Sequence, residues 1–153
     1  MVSYANVNAF KLNMFDVGLL GAASRLDVST LPSDNALFEE FKGALAKQYV
    51  RQQPMASDKV VHGYWTYNSS TSEVDFIYDY GGEVYPVEVK AETNLCAKSL
   101  RFYSEKYHIE KLLRLSLSGS RDQGCVRNVP LYAAGMLPGC LKDKANSRDE
   151  RTR

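Results

Sequence analysis

Asp75, Glu88 and Lys90 are the residues of this 153-residue chain whose types and spacing best suit chemistry. Two runs rich in β-branched and aromatic residues, Glu73–Tyr80 and Glu83–Lys90, flank Gly81-Gly82, and a Gly-Gly pair between such runs predicts a tight β-hairpin. A two-residue loop sets Tyr80 opposite Glu83, Phe76 opposite Val87, Asp75 opposite Glu88 and Glu73 opposite Lys90. Strand alternation then gathers Val74, Phe76, Tyr78, Tyr85, Val87 and Val89 on a core face. Glu73, Asp75, Glu88 and Lys90 fall on the other face, with Ile77 and Val84 nearer the turn. Pro86 cannot donate to a ladder, so it is expected at an edge or a bulge.

Facing side chains on paired strands start about 4.5–5.5 Å apart at Cβ. Two carboxylates so placed repel unless a cation lies between them or one is protonated. A divalent metal would resolve the conflict, since Mg²⁺ is typically held by one or two carboxylates together with waters and phosphate oxygens. A lysine two residues from Glu88 on the same face suits a metal-bound water or a developing phosphorane charge. The competing reading is a charged sheet face laced with pairs such as Glu73–Lys90.

The elements that must position these residues are legible at coarse grain. Pro32-Ser33-Asp34-Asn35 signals a helix start, and the helix runs to about Gln53, where Pro54 stops it. Leu37, Phe38, Phe41, Leu45 and Tyr49 form its expected buried stripe, and Gly43 within it suggests a close neighbour. Phe15–Ala23 reads as a strand end or a short helix, with Gly18 and Gly21 marking close packing or a bend. Val60–Tyr67 reads as a strand, followed by a loop at 68–72. Thr93 or Asn94 can cap a helix running to about Tyr107. Leu113, Leu115 and Leu117 alternate with Arg114 and Ser116 in a further strand, residues 118–127 read as a polar loop, and Val129–Ala134 as a last short strand. Helix, three strands, helix and two strands predict an α/β domain around a mixed sheet.

Composition excludes several classes. No run of 18 apolar residues occurs, so no membrane-spanning segment is expected. The N-terminus lacks the charged and apolar regions of a signal peptide, and three cysteines without C-x-x-C spacing fit a reducing cytoplasm. With His62 and His108 the only histidines, a structural zinc site is not expected. No phosphate-binding loop of the G-x-x-x-x-G-K-[ST] type is present, so no nucleotide site is expected. Residues 1–140 hold 14 Lys/Arg against 15 Asp/Glu, so the body is not a broadly basic nucleic-acid binder. Residues 98–127 deviate, with seven basic against three acidic residues, and could face a phosphate backbone; a solvated helix face and loop is the plainer account. Residues 141–153 hold five basic and three acidic residues with almost no apolar content, and are expected to form a disordered tail. Tyr64, Trp65 and Tyr67 could stack on bases, although strand aromatics more often serve a core.

EVDFIYDYGGEVYPVEVKA, residues 73–91, resembles the core of the PD-(D/E)xK nuclease superfamily. The pattern there is an acid on the second core strand, then (D/E)-x-K on the third, matched by Asp75, Glu88 and Lys90. Over residues 10–142 the chain also resembles the uncharacterised C-terminal domain of bacterial and archaeal AAA-type ATPases. The segments that carry this likeness are FKLNMFDVGLLGA, ALFEEFKGALAKQYV, GYWTYNSSTSEVDFI, PVEVKA, SLRFYSEKY and NVPLYA. The resemblance implies a restriction-endonuclease-like α/β fold over residues 32–140, with residues 1–31 as the remnant of a linker. It also implies an ATPase and a winged-helix segment ahead of the domain, so the chain reads as a detached C-terminal domain. One departure stands out: the family has E-N-Y-V where this chain has Lys47-Gln48-Tyr49-Val50, so the helix glutamate that serves the superfamily's metal site is Lys47 here. Glu40 is the nearest substitute on that stripe, about 10 Å earlier along the helix.

Two functions follow. In the first, Asp75 and Glu88 bind Mg²⁺ and Lys90 positions water for hydrolysis of a nucleic-acid phosphodiester, with Glu40, Lys47 and Glu73 as accessory residues. In the second, the scaffold is catalytically inactive and binds nucleic acid or a protein partner for an ATPase acting in cis or in trans. A lysine at 47 close to the carboxylates could replace the metal's charge with its own.

Overall fold

The computed structural model describes residues 9–26, 36–53, 61–67, 71–80, 82–91 and 97–137, excepting the side chains at 36–40 and 61–62. The expected disordered tail at 141–153, the helix-start signal at 32–35 and the capping residues Thr93 and Asn94 lie outside these. A short helix α1 (Val17–Ala23) is capped by Asp16, whose carboxylate accepts from the N–H groups of Gly18 and Leu19. Helix α2 (Ala36–Gln52) follows, then β1 (Val61–Tyr67), β2 (Ser72–Tyr80), β3 (Glu83–Lys90), α3 (Lys98–Tyr107), β4 (Leu112–Ser116), β5 (Arg121–Gln123) and β6 (Val126–Pro130). A short 3₁₀ helix, Leu131–Met136, closes the described chain.

The six strands form one mixed sheet in the order β1-β2-β3-β4-β6-β5. The first three run antiparallel, as do β5 and β6, whereas β3–β4 and β4–β6 are parallel. The parallel step from β3 to β4 needs a crossover, and α3 supplies it. Gly82 adopts a φ of +81° at the β2–β3 turn, a left-handed conformation that glycine reaches without the Cβ penalty. On one face α2 and the 3₁₀ helix cover Phe76, Tyr78, Tyr85, Val87, Val89, Leu113, Leu115 and Val129, with Val50 and Leu137 inserted among them. On the other, Ala97, Leu100 and Tyr103 of the α3 region cover Val74, Ile77, Leu112 and Val126.

The predicted hairpin register holds from Tyr80↔Glu83 to Phe76↔Val87, where the pairing stops. At the same place along β2 its pairing with β1 slips. Gly63 lies opposite Ile77 and Trp65 opposite Val74, so β2 carries one more residue than β1 over that stretch. Val74 therefore packs on the α3 side with Ile77, not beside Phe76 and Tyr78 as simple alternation predicts. Pro86 lies in an interior strand, opposite Ile77, but β4 pairs with β3 only from Val87 onward, so the proline occupies a stretch of β3 flanked by β2 alone.

Other expectations change as well. The buried positions near the C-terminal end of α2 are Gln48 and Val50, while Phe41, Leu45 and Tyr49 are half-buried. Gln48 is accepted inside because its amide donates to the Met14 carbonyl (2.6 Å) and accepts from the Met14 N–H (3.0 Å), which pins the segment before α1. A Cβ at Gly43 would meet nothing within 4 Å, so no close neighbour explains that glycine. The expected polar loop at 118–127 holds β5 and its turn, with Gly124 at a φ of +62°. The expected last strand starts earlier, at Val126, and from Leu131 becomes the 3₁₀ helix.

Leu100 is fully buried beneath α3. Leu100→Ala should lower stability by about 2–5 kcal/mol in urea denaturation, through lost burial and the cavity left behind. Burial pushes the Tyr78 hydroxyl pKa up, against a smaller opposing pull from the Arg51 charge. The unfolded chain releases that proton near pH 10, before the folded chain does, so stability should fall as pH rises beyond about 10. Tyr78→Phe should flatten that limb of a pH–stability profile.

Candidate functional site

The slip in β2 decides how Asp75 is held. The ladder between β2 and β3 has ended beside it, and its carboxylate takes the place of the missing backbone acceptor. Asp75 Oδ2 accepts from the Val89 N–H at 2.8 Å. The other oxygen, Oδ1, pairs with Lys47 Nζ of α2 at 2.6 Å. Asp75 is 7% exposed, whereas the lysine side chain is 45% exposed and reaches the carboxylate from solvent. One buried side chain thus ties α2, β2 and β3 together, and it meets β3 at Val89, the residue after Glu88.

Glu88 and Lys90 point to the face of β3 opposite Val87 and Val89, as alternation requires. Glu88 Oε1 pairs with Lys90 Nζ at 2.9 Å. Its second oxygen, Oε2, is buried and has no hydrogen-bond partner. In the parallel register Glu88 lies beside Arg114. Arg114 is buried, with Nε donating to Asn128 Oδ1 (3.0 Å) and Nη2 donating to Gln123 Oε1 (2.6 Å). Burial above all, then the Arg121 charge, pushes the guanidinium's pKa down; Glu88 opposes the shift and Arg101 adds to it. Asn128 is itself held by Ser116 Oγ (2.9 Å) and donates to the carbonyls of Ser118 (3.1 Å) and Gly119 (2.8 Å).

The structure thus holds two separate lysine–carboxylate pairs, Lys47–Asp75 on the side of α2 and Lys90–Glu88 on the face of β3 opposite Val87 and Val89; the expected pairing of Asp75 with Glu88 is absent from the ladder between β2 and β3. Glu73 is drawn elsewhere: it lies opposite Thr66 and pairs with Lys11, not with Lys90. The side chain of Glu40 lies outside the described residues. Sequence reasoning missed Arg114, Asn128 and Gln123. The available signal was a pair of polar residues, Arg114 and Asn128, at matching places in LRLS and RNVP, strands whose neighbours are apolar.

A resident Mg²⁺ fits these residues poorly. Both oxygens of Asp75 are engaged by cation and N–H donors, which leaves Glu88 Oε2 as the open carboxylate oxygen. Among the described residues no group of three or more His, Cys, Asp or Glu is placed to hold a metal ion.

Residues 38–132 match the family described as a domain of unknown function, DUF4143. The chain belongs to the DUF4143 family. The match spans more than half of the chain and includes most of α2, the β2–β3 hairpin, α3 and the parallel strands. DUF4143 domains are often found with ATPases. No curated protein and no solved structure matches the chain. Among the described residues of this DUF4143 domain, no helix is long and apolar enough to cross a membrane.

Asparagine at position 75 keeps one acceptor oxygen but loses the negative charge and the second acceptor, so the Val89 N–H and the Lys47 ammonium are no longer both satisfied. Asp75→Asn should destabilise the fold by about 1–3 kcal/mol. Combined with Lys47→Gln, the loss should be smaller than the sum of the single losses, because the two substitutions remove one shared interaction. A double-mutant cycle in urea measures both.

Proposed function

We propose that this DUF4143 domain is a restriction-endonuclease-like module that binds nucleic acid without cleaving it, in the service of an ATPase. The observation that carries the reading is the ion pair between Lys47 and Asp75 at 2.6 Å. At the helix position where the resemblance implies a glutamate, the chain has a cation, and that cation engages the acid a metal would need. With Lys90 on Glu88, each of the two carboxylates has its own lysine. A carboxylate with its own cation has less electrostatic need of a divalent ion, which supports the non-catalytic reading.

The α/β architecture supports the fold assignment. The sheet is mixed and flanked by helices, and it carries the acid on its second strand and Glu-x-Lys on its third, as the superfamily resemblance implies. Nucleic acid is favoured as ligand by the excess of cations between Lys98 and Arg127, of which Lys98, Arg101, Lys106 and Arg121 are exposed.

Metal-dependent phosphodiester hydrolysis is the second reading, and the buried, unpartnered Glu88 Oε2 favours it. It requires Lys47 to release Asp75. Titration of Mg²⁺ and Mn²⁺ followed by calorimetry separates the two. On the proposed reading the wild-type protein gives no binding isotherm, and Lys47→Glu, which restores the acid, creates one that Glu88→Ala abolishes. Wild-type binding that disappears in Glu88→Ala would overturn the non-catalytic reading.

A further inference from the structure

The exposed ridge of α3 is unlike an ordinary solvated helix face. Leu100 and Tyr103 point into the core, which turns Lys98, Arg101, Phe102, Glu105 and Lys106 outward or to the rim. Three cations against one acid give the ridge a net positive charge. On one flank Phe102 meets the aromatic side chains of β1, with its ring 6.0 Å from Trp65 and 5.1 Å from Tyr67. Trp65 and Tyr67 lie nearly parallel, with centroids 5.9 Å apart and an interplanar angle of 11°. Tyr107 extends the group, its hydroxyl accepting from the Trp65 indole N–H at 3.0 Å. Lys106 Nζ sits over the Tyr67 ring at 3.8 Å. Beyond α3, the exposed Arg121 of β5 adds a further cation.

We propose that this α3–β1 surface binds single-stranded nucleic acid. The proposal rests on the nucleic-acid reading above and goes beyond it by assigning the ligand to residues of α3 and β1 in place of Asp75 and Glu88. Charge complementarity selects a polyanion, with Lys98, Arg101 and Arg121 following its phosphates. The rings select a strand whose bases are free. Phe102 is 37% and Tyr107 44% exposed, and such ring faces stack on unpaired bases, whereas the bases of a duplex are already stacked on one another. Lys106 over Tyr67 occupies a ring face that a base can take, and its displacement frees the ammonium for a phosphate. A face that bound phosphate alone would have no use for an aromatic cluster at the rim of its cations.

Trp65 is the only tryptophan of the chain and therefore reports on this surface directly. The full chain is titrated with a short oligothymidylate and with a duplex of matched length, at low and at high salt. Expected is quenching of Trp65 fluorescence by the single strand, weaker binding of the duplex, and affinity that falls with salt. Arg101→Glu and Lys106→Glu alter exposed residues, so their folds are expected to persist, with circular dichroism as the check. Each should weaken binding severalfold, and Phe102→Ala by about tenfold. Binding that leaves Trp65 unquenched and survives Arg101→Glu would place nucleic acid elsewhere and overturn this inference while leaving the general reading intact. Equal affinity for the duplex would overturn the single-strand assignment, and absence of binding to either probe would overturn both readings.

Discussion

The carboxylate of Asp75 is the constraint on which the architecture around the site depends. It lies at the point where the ladder between β2 and β3 ends, and an N–H left there without an acceptor would be costly in a buried setting. Asp75 accepts that N–H from Val89 and uses its remaining oxygen to fix Lys47. The same group therefore repairs the sheet and orients the helix above it. A buried carboxylate is tolerable on these terms because both oxygens have donors, one of them charged. The irregularity in β2 and the ion pair are two views of one feature. Without the slip the side chain would have no backbone donor to find, and without the donor and the lysine its charge would not stay inside.

Around this point the protein balances charge by local pairing. Lys47 serves Asp75, Lys90 serves Glu88, and Lys11 serves Glu73. Arg114 is fully buried, and Asn128 and Gln123 offer it neutral amide oxygens. Asn128 bridges Arg114, Ser116 and the backbone of the β4–β5 connection, so the parallel pair β4–β6 is cross-linked by polar groups on the face where α3 packs. Networks of this kind specify strand register, because a one-residue shift would leave several buried donors without acceptors. The exposed cations of α3 and β5 lie outward of this network, which fixes the strands that carry them.

Much of the site could be read before any coordinate. The Gly-Gly turn and the alternating runs correctly paired Phe76 with Val87 and Tyr80 with Glu83. The relation of Asp75 to Glu88 was harder, since it lies beyond a slip that arises between β1 and β2 and leaves no mark in the hairpin itself. Lys47 was recognisable as a departure at a helix position, and its capacity to supply a charge follows from its chemistry. That it meets Asp75 is tertiary information. Gln48 illustrates the opposite failure. Periodicity favours the apolar neighbours Leu45 and Tyr49 as the buried stripe, yet Gln48 is inside because a distant backbone, Met14, offers both a donor and an acceptor. The short strand β5 escaped because its three residues are all polar and exposed, so it carries no periodic signal.

The strand order also sets a sequence of events for the folding chain. β1, β2 and β3 are neighbours both along the chain and across the sheet, so their loops close at small entropic cost and their pairing is fast. β4 joins β3 only after α3 has crossed the sheet, and β6 then adds beside β4. The parallel half is thus the slower half. Until it arrives, Val87 and Val89 have no neighbour on one side, and β3 is an open edge able to pair with another chain. Pro86, at the end of that edge, lacks an N–H to offer such an intruder. A residue that looks out of place in a finished interior strand thereby shortens the exposed edge during the interval when the strand is not yet interior.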